Sequence, residues 1–302
     1  MNYNRREFMK FGSNLAAGFA LAPIACKLMP KDDDSSKIKT FGIQLYSLRD
    51  VIPNDPKGVL KQVAADGYKQ IESYEHSKLG MFWGMSNTDF KKYVNDLGME
   101  IISSHCKPGN DFEKKVAEAA AIGMKYLIFP YEGSPLRKND PDYVTMPKTI
   151  EEFKLFADKL NAWGNICKKN NLKFGYHNHD YAFSTLENQV PEETMLTHTD
   201  KDLVDFEMDI YWVVTAGQDP EVWLKKYKNR FGLCHIKDRI KNTTEREATC
   251  TLGEGSINFS KILKTAKDNG MQYYIVEQER YDNTTPLDSA KADAEYLKKL
   301  KI

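Results

Sequence analysis

The chain has 302 residues and balances 43 basic side chains against 43 acidic ones. It therefore lacks the basic footprint that nucleic-acid binding leaves, and no nucleic acid is expected as a partner. A hydrophobic content of 41%, with 16 Tyr and 15 Phe, is enough for the core of one large domain and argues against disorder.

The chain starts with an arginine pair in NRREFMK (4–10), then FGSNLAAGFALAPIA (11–25), a moderately apolar run rich in small residues. The run is too short to span a bilayer and follows positive charge, as an export signal does. Arg5–Arg6 followed by Glu7-Phe8-Met9-Lys10 resembles the twin-arginine signal. Cys26 follows Pro23-Ile24-Ala25, a degenerate form of the bacterial lipoprotein cleavage box, and is a candidate for lipid attachment. Residues 1–26 thus read as an export signal, 27–37 as a flexible charged tether and 38–302 as the folded domain. The expected product is periplasmic or anchored to a membrane only through a lipid on Cys26. Cys106, Cys167, Cys234 and Cys250 show no CxxC spacing, so neither a zinc knuckle nor a disulfide framework is indicated. Nothing in the sequence sets the oligomeric state.

From residue 38 one rhythm repeats: a short apolar or β-branched run, a loop, an amphipathic helix. The runs are FGIQLY (41–46), YKQIESY (68–74), MEIISSHC (99–106), MKYLIFPY (124–131), LKFGYHNH (172–179), LVDFEMDIYW (203–212), RFGLCHIKD (230–238) and MQYYIVEQE (271–279). Helical patterns lie between them at 55–67, 89–98, 111–123, 150–170, 219–231 and 257–270. Several open on Asp or Asn and stop at Gly, as capping chemistry predicts. Helix-to-strand joints are tight, whereas the strand-to-helix loops at 132–149 and 239–256 are long. Eight β–α units elaborated on one side predict an α/β fold, the (β/α)8 TIM barrel.

Active sites of such barrels sit at the C-terminal ends of the strands, and here those ends carry polar groups. The second run ends with Glu72, the third with His105, and the fifth with His177 and His179. The sixth alternates Asp205, Glu207 and Asp209 with Phe206, Met208 and Ile210. The seventh ends with His235 and Lys237, the eighth with Glu277 and Glu279. A period of two puts the carboxylates of the sixth run on one face. Burying them together is expensive without cations, and a divalent metal is the best neutraliser. Asp209, His235 and Glu277 are the expected ligands, with His177 as the fourth. The mixed nitrogen and oxygen set suits Mn, Co, Zn or Mg without choosing among them. Glu207 and Glu279 either support these ligands from behind or form ion pairs deeper in the barrel.

At these residues the chain resembles the xylose isomerase-like TIM barrels, a superfamily of sugar isomerases, ketose epimerases, inosose isomerases and inosose dehydratases. The resemblance rests on GIQLYSLRD (42–50), YHNHDYAF (176–183), FEMDIYW (206–212), HIKD (235–238), LGEGSIN (252–258) and VEQER (276–280). It implies a metal held by a Glu from strand five, an Asp from strand six, a His from strand seven and a Glu from strand eight. Asp209, His235 and Glu277 match the last three. His177 stands where the strand-five Glu belongs, and Trp212 where the family's Asp-x-x-His has its histidine. The YHNH form is closer to the inosose dehydratase branch.

The reaction so implied is proton abstraction beside a carbonyl, with the metal as Lewis acid and Glu277 or His179 as base. Lys237 would bind an oxyanion or hydroxyl, unless it is a surface lysine. His105 would reach a substrate hydroxyl or sit satisfied at the barrel rim. Glu72 and Gln44 are candidate sugar contacts, and Trp83, Trp212 and Tyr46 a candidate apolar wall. Gly253 and Gly255 make a tight turn, and Gly-Glu-Gly is a poor phosphate cradle. The expected function is therefore metal-dependent isomerisation or epimerisation of an unphosphorylated sugar or keto-sugar. The alternatives are a lyase or dehydratase acting on a keto-sugar or cyclitol at the same site, and a non-catalytic sugar-binding lipoprotein.

Overall fold

A computed structural model describes residues 37–130 and 147–302. The expected export signal and Cys26 lie outside the described residues, as does most of the long loop after the fourth strand. Eight parallel strands close into a barrel in the circular order β1 (Gly42–Gln44), β2 (Gln70–Tyr74), β3 (Glu100–His105), β4 (Tyr126–Pro130), β5 (Lys173–His177), β6 (Val204–Asp209), β7 (Phe231–Ile236) and β10 (Tyr273–Val276), which returns to β1. The (β/α)8 expectation holds. A two-stranded antiparallel hairpin, β8 (Asp238–Arg239) with β9 (Thr249–Cys250), is inserted after β7.

Helices α1 (Pro56–Asp66), α2 (Asn87–Asp96), α3 (Phe112–Ala121), α4 (Ile150–Lys168), α7 (Pro220–Lys226) and α8 (Phe259–Asp268) fall where the sequence pattern put them. Three more, α5 (Pro191–His198), α6 (Ile210–Thr215) and α9 (Pro286–Lys299), were not singled out. Capping explains several starts. Asp55 accepts from Gly58 N at 2.9 Å with Pro56 in the first turn, and Thr285 accepts from Asp288 N at 3.1 Å ahead of Pro286. Gly67 closes α1 in the left-handed region, at φ 102°, where a Cβ is costly.

The strands are shorter than their runs, and in two of them a side chain that caps the following turn shows why. The first stops at Gln44, whose side chain accepts from Tyr46 N and starts a 3-10 turn over Leu45–Leu48. The sixth stops at Asp209 instead of reaching Trp212, because the Asp209 carboxylate accepts from Trp212 N at 3.2 Å and caps α6. Trp212 is thus a first-turn helical residue.

The main apolar core lies between the strands and the helices, and includes Phe174, Phe206, Met208, Ile236 and Leu263. Each such side chain, fully buried, contributes about 1.5–3 kcal/mol. A second, smaller cluster of Ile102, Tyr126, Ile128 and Leu233 also forms within the barrel sheet. Among the described residues no helix is long and apolar enough to cross a membrane.

Candidate functional site

Strand register assembles the site. His177 pairs across with Glu207 and Asp209 with His235, while Glu72 lies opposite Ser103. Glu207 follows a register shift between β6 and β7, and Glu72 one between β2 and β3. Asn178 fixes the end of β6: its Oδ1 accepts from Asp209 N at 3.1 Å, and its Nδ2 donates to Asp209 O at 3.3 Å.

The polar groups form two tiers. In the lower one, ring nitrogens converge on Glu207 Oε2: His105 Nε2 at 2.8 Å, His177 Nδ1 at 3.0 Å and His235 Nε2 at 3.3 Å. Glu72 completes this tier, its Oε1 2.7 Å from His235 Nε2 and 3.1 Å from His105 Nε2. Gln44 Nε2 and Ser103 Oγ donate to the same carboxylate, at 2.8 and 2.6 Å. The rings of His105 and His235 stack with centroids 5.3 Å apart.

The upper tier surrounds Asp209 Oδ2, which is buried and has no hydrogen-bond partner among the described residues. Around it stand Lys237 Nζ at 3.7 Å, His177 Nε2 at 3.8 Å and His235 Nδ1 at 3.9 Å. Glu277 Oε2 is 3.1 Å from both His235 Nδ1 and Lys237 Nζ. Lys237 also donates to Glu279. With 1% of its surface exposed, Lys237 is not the surface lysine that the sequence left open.

The electrostatics follow from burial and from the charges that face one another. Burial alone would raise the Glu72 carboxyl, but the charges and hydrogen bonds of His105 and His235 hold it well below the usual range. Glu207 and Asp209 are raised, first by burial, and Glu207 also by the Glu72 charge. Burial opposes the charged form of Lys237, yet Glu277, Glu279 and Asp209 together raise it well above its ordinary value. His179 is lowered to about 3 by burial and then by Lys237, so its imidazole is neutral at physiological pH.

Two overlapping sets of ligand atoms meet the distance requirement of a metal site among the described residues: His105, His177, Glu207 and His235, and Asp209, His235 and Glu277. The upper set has the chemistry of a divalent-metal centre, with an orphaned carboxylate oxygen, a second carboxylate and imidazole nitrogen. Each histidine facing it is held from behind by a buried carboxylate, Glu207 for His177 and Glu72 for His235. That is the arrangement that fixes the tautomer of ligating histidines. His177 therefore belongs to both tiers, one nitrogen in each.

Above the upper tier opens a cavity of about 800 Å3 with His105, His177, His179, Trp212, Lys237 and Glu277 in its lining. Glu72 and Gln44, expected as sugar contacts, are instead fully buried behind the histidines and bonded to each other. Trp83 is not on the wall either: it is buried, edge-on to Tyr74, and donates to Ser73 Oγ at 3.0 Å. Tyr46 and Trp212 do line the cavity.

The sequence reading missed two structural groups. One is Asn178, hidden within the histidine pair. The other is Asp238, whose carboxylate accepts from Arg239 N, Gly253 N, Gly255 N and Ile257 N at 2.8–3.2 Å. Those Gly-Glu-Gly amides are thereby occupied, which is why the loop offers phosphate no cradle.

A family model described as xylose isomerase-like TIM barrel matches residues 60–300. The inosose dehydratase of Clostridium perfringens is 26% identical over 257 residues, covering 76% of this chain and 86% of that protein. Among solved structures, a sugar phosphate isomerase/epimerase from Parabacteroides distasonis is 29% identical with a TM-score of 0.73, covering 87% of this chain and 98% of that one. The IolI protein with a bound zinc atom shares the fold at 16% identity, with a TM-score of 0.69 and coverage of 85% and 95%.

Proposed function

The chain belongs to the xylose isomerase-like TIM barrel family, and from that premise we propose that it is a divalent-metal-dependent enzyme that removes the proton beside a carbonyl of an unphosphorylated keto-sugar or cyclitol. The observation that carries this reading is the buried, unpartnered Oδ2 of Asp209, ringed by His177, His235 and Lys237 next to Glu277. Asp209, His235, Glu277 and His177 would hold the ion. Bound there, a divalent cation supplies Lewis acidity to a carbonyl and stabilises negative charge on its oxygen.

The protein's own groups divide the remaining work. Glu277 lines the cavity and accepts the proton from carbon, whose electron pair moves into the adjoining C–C bond. Lys237, held between Glu277 and Glu279, donates to the oxygen that gains charge. In an elimination, the neighbouring C–O bond then breaks with its electron pair, the leaving oxygen takes a proton, and no oxidant is consumed.

Elimination is the favoured outcome. His177 stands where the resemblance places a second glutamate, which leaves the paired-glutamate geometry of an epimerase incomplete. Inosose dehydratases are also among the relatives. Isomerisation, the outcome first expected from the sequence, shares the proton-removal step and is supported by the Parabacteroides structure. The test is to load the protein with manganese and incubate it with keto-sugars and inososes in deuterated water. Carbon-bound deuterium or an unsaturated product is expected, and both should vanish in Glu277→Gln. Tight metal and sugar binding without either would replace this reading with a non-catalytic sugar-binding one.

A further inference from the structure

Beside the cavity over the metal tier lies a second one of about 590 Å3. The two share Tyr46, His179, Trp212 and Glu279 as a common wall. Each falls in the range of about 300–1,000 Å3 typical of small-molecule pockets. The first therefore holds a reacting ring by itself, and the second is left for something more. Its outer side comes from the β8–β9 hairpin, through Arg246, Glu247 and Thr249, and from Arg280 after β10.

The lining identifies the kind of group. Two of its three guanidinium groups are neutralised by carboxylates, and the third is held by backbone oxygens. Arg246 makes a two-point pair with Asp180 at 2.7 and 2.8 Å. Arg280 pairs with Glu245 at 2.6 Å and Asp282 at 2.7 Å. Arg49 donates to the backbone oxygens of Tyr46 and Glu279 at 3.1 and 2.7 Å. Of these guanidiniums only Arg49 has no carboxylate partner among the described residues, and Glu247 and Glu279 add negative charge to the same lining, so the wall holds no surplus of cations for an anionic group. Paired carboxylates and guanidiniums beside the rings of Tyr46, Tyr181 and Trp212 suit hydroxyls and ring faces instead. Between the cavities, His179 stacks on Tyr181 with centroids 5.7 Å apart and an interplanar angle of 8°. Its Nδ1 is buried without a hydrogen-bond partner among the described residues. The imidazole of His179 lines both cavities and so stands at the boundary that a link between two rings would cross.

We propose that the second cavity binds an uncharged, hydroxyl-bearing second ring, so that the substrate is a glycoside of a keto-sugar and not a free monosaccharide. This rests on the reading of the first cavity as the place where the keto ring reacts. Thr249 holds the arrangement together: its Oγ1 accepts from Glu279 N at 3.2 Å and Arg280 N at 2.9 Å, tying the hairpin to the strand end that carries Glu277.

The test compares a one-ring probe, the methyl glycoside of a keto-glucose, with the matching keto-disaccharide. Both are titrated calorimetrically into the full-length manganese-loaded protein and followed for deuterium uptake. The disaccharide is expected to bind at least about tenfold tighter. Arg246→Ala, which opens the wall, should shrink that ratio. Glu247→Trp, at an exposed rim position, should do the same by filling the cavity. Equal affinities in the parent protein, or no binding of either probe, overturn the second-ring site. Equal affinities with deuterium uptake leave the proposed reaction standing, while a disaccharide preference without uptake leaves the site standing and removes the reaction.

Discussion

The two ends of β6 carry the same side chain on the same face and use it differently. At the bottom, Asp205 Oδ2 accepts from Tyr126 Oη and from Lys173 Nζ, both at 2.9 Å. At the top, Asp209 is fully buried and its Oδ2 has no hydrogen-bond partner among the described residues. Between them Glu207 collects three imidazoles on Oε2 and leaves Oε1 without a partner among the described residues. A structural carboxylate is one whose neighbours arrive with matching donors. The upper carboxylates face histidines whose other nitrogens are already tied to Glu72 and Glu207, and no donor reaches Asp209 Oδ2 at hydrogen-bond distance among the described residues. That unmet oxygen is what the proposed cation would satisfy.

The largest expected effect breaks the top end alone. Asp209→Asn keeps the cap on α6, since Asn caps as well as Asp, but removes the charge. Turnover should fall by about 10^3-fold or more, with manganese lost from the purified protein. The metal-free variant should unfold at a denaturant concentration no lower than the metal-free parent. A clear drop in that midpoint would show that Asp209 has a structural role after all.

Next comes the ligand-linked stabilisation. Manganese at a hundred times its dissociation constant should stabilise the parent by about 2.7 kcal/mol. The same titration should leave Asp209→Asn unmoved and Asp205→Ala stabilised like the parent. Smaller in scale, Asp205→Ala should cost about 1–3 kcal/mol in urea, because Tyr126 Oη is left buried without its acceptor. Lys173 is largely exposed and returns to water. Activity should be retained, and a loss comparable to that of Asp209→Asn would erase the distinction between the two ends.

The smallest effect uses a carboxyl that resembles neither end. Asp293 is buried with one donor, Leu252 N at 2.8 Å, and burial pushes its acid up to about 8. Its folded value lies above its unfolded value. The stability it contributes is therefore complete below about pH 4 and is lost as the pH rises through about 8. Asp293→Asn should remove that slope between pH 4 and pH 8 in a series of urea melts. An unchanged slope would mean that Asp293 is ionised in the folded protein.

How much of this was readable varies residue by residue. Asp209, His235 and Glu277 could be picked from the sequence because strand period and strand ends sufficed: three runs, each ending in a metal-type side chain, meet wherever a barrel closes. Glu72 could not be placed the same way. Its strand continues to Tyr74, so Glu72 lies two residues below the strand end, beneath His235 instead of in the cavity. Trp212 was misread as strand because Ile210-Tyr211-Trp212 has the composition of one, and the Asp209 cap turns it into helix. The second cavity was invisible, since the hairpin residues that wall it follow no period at all.

The sequence by itself determined the barrel, the end of it where polar side chains gather and most of those side chains. Those follow from local rules, alternation along a strand and capping at a helix start, that act over a few residues. Only the tertiary structure decided which nitrogen of each histidine faces the cavity, which carboxylate is satisfied and which is left wanting a cation. Such outcomes depend on donors and acceptors brought together from strands up to 163 residues apart, as between Glu72 and His235. No local pattern in the chain encodes that accounting.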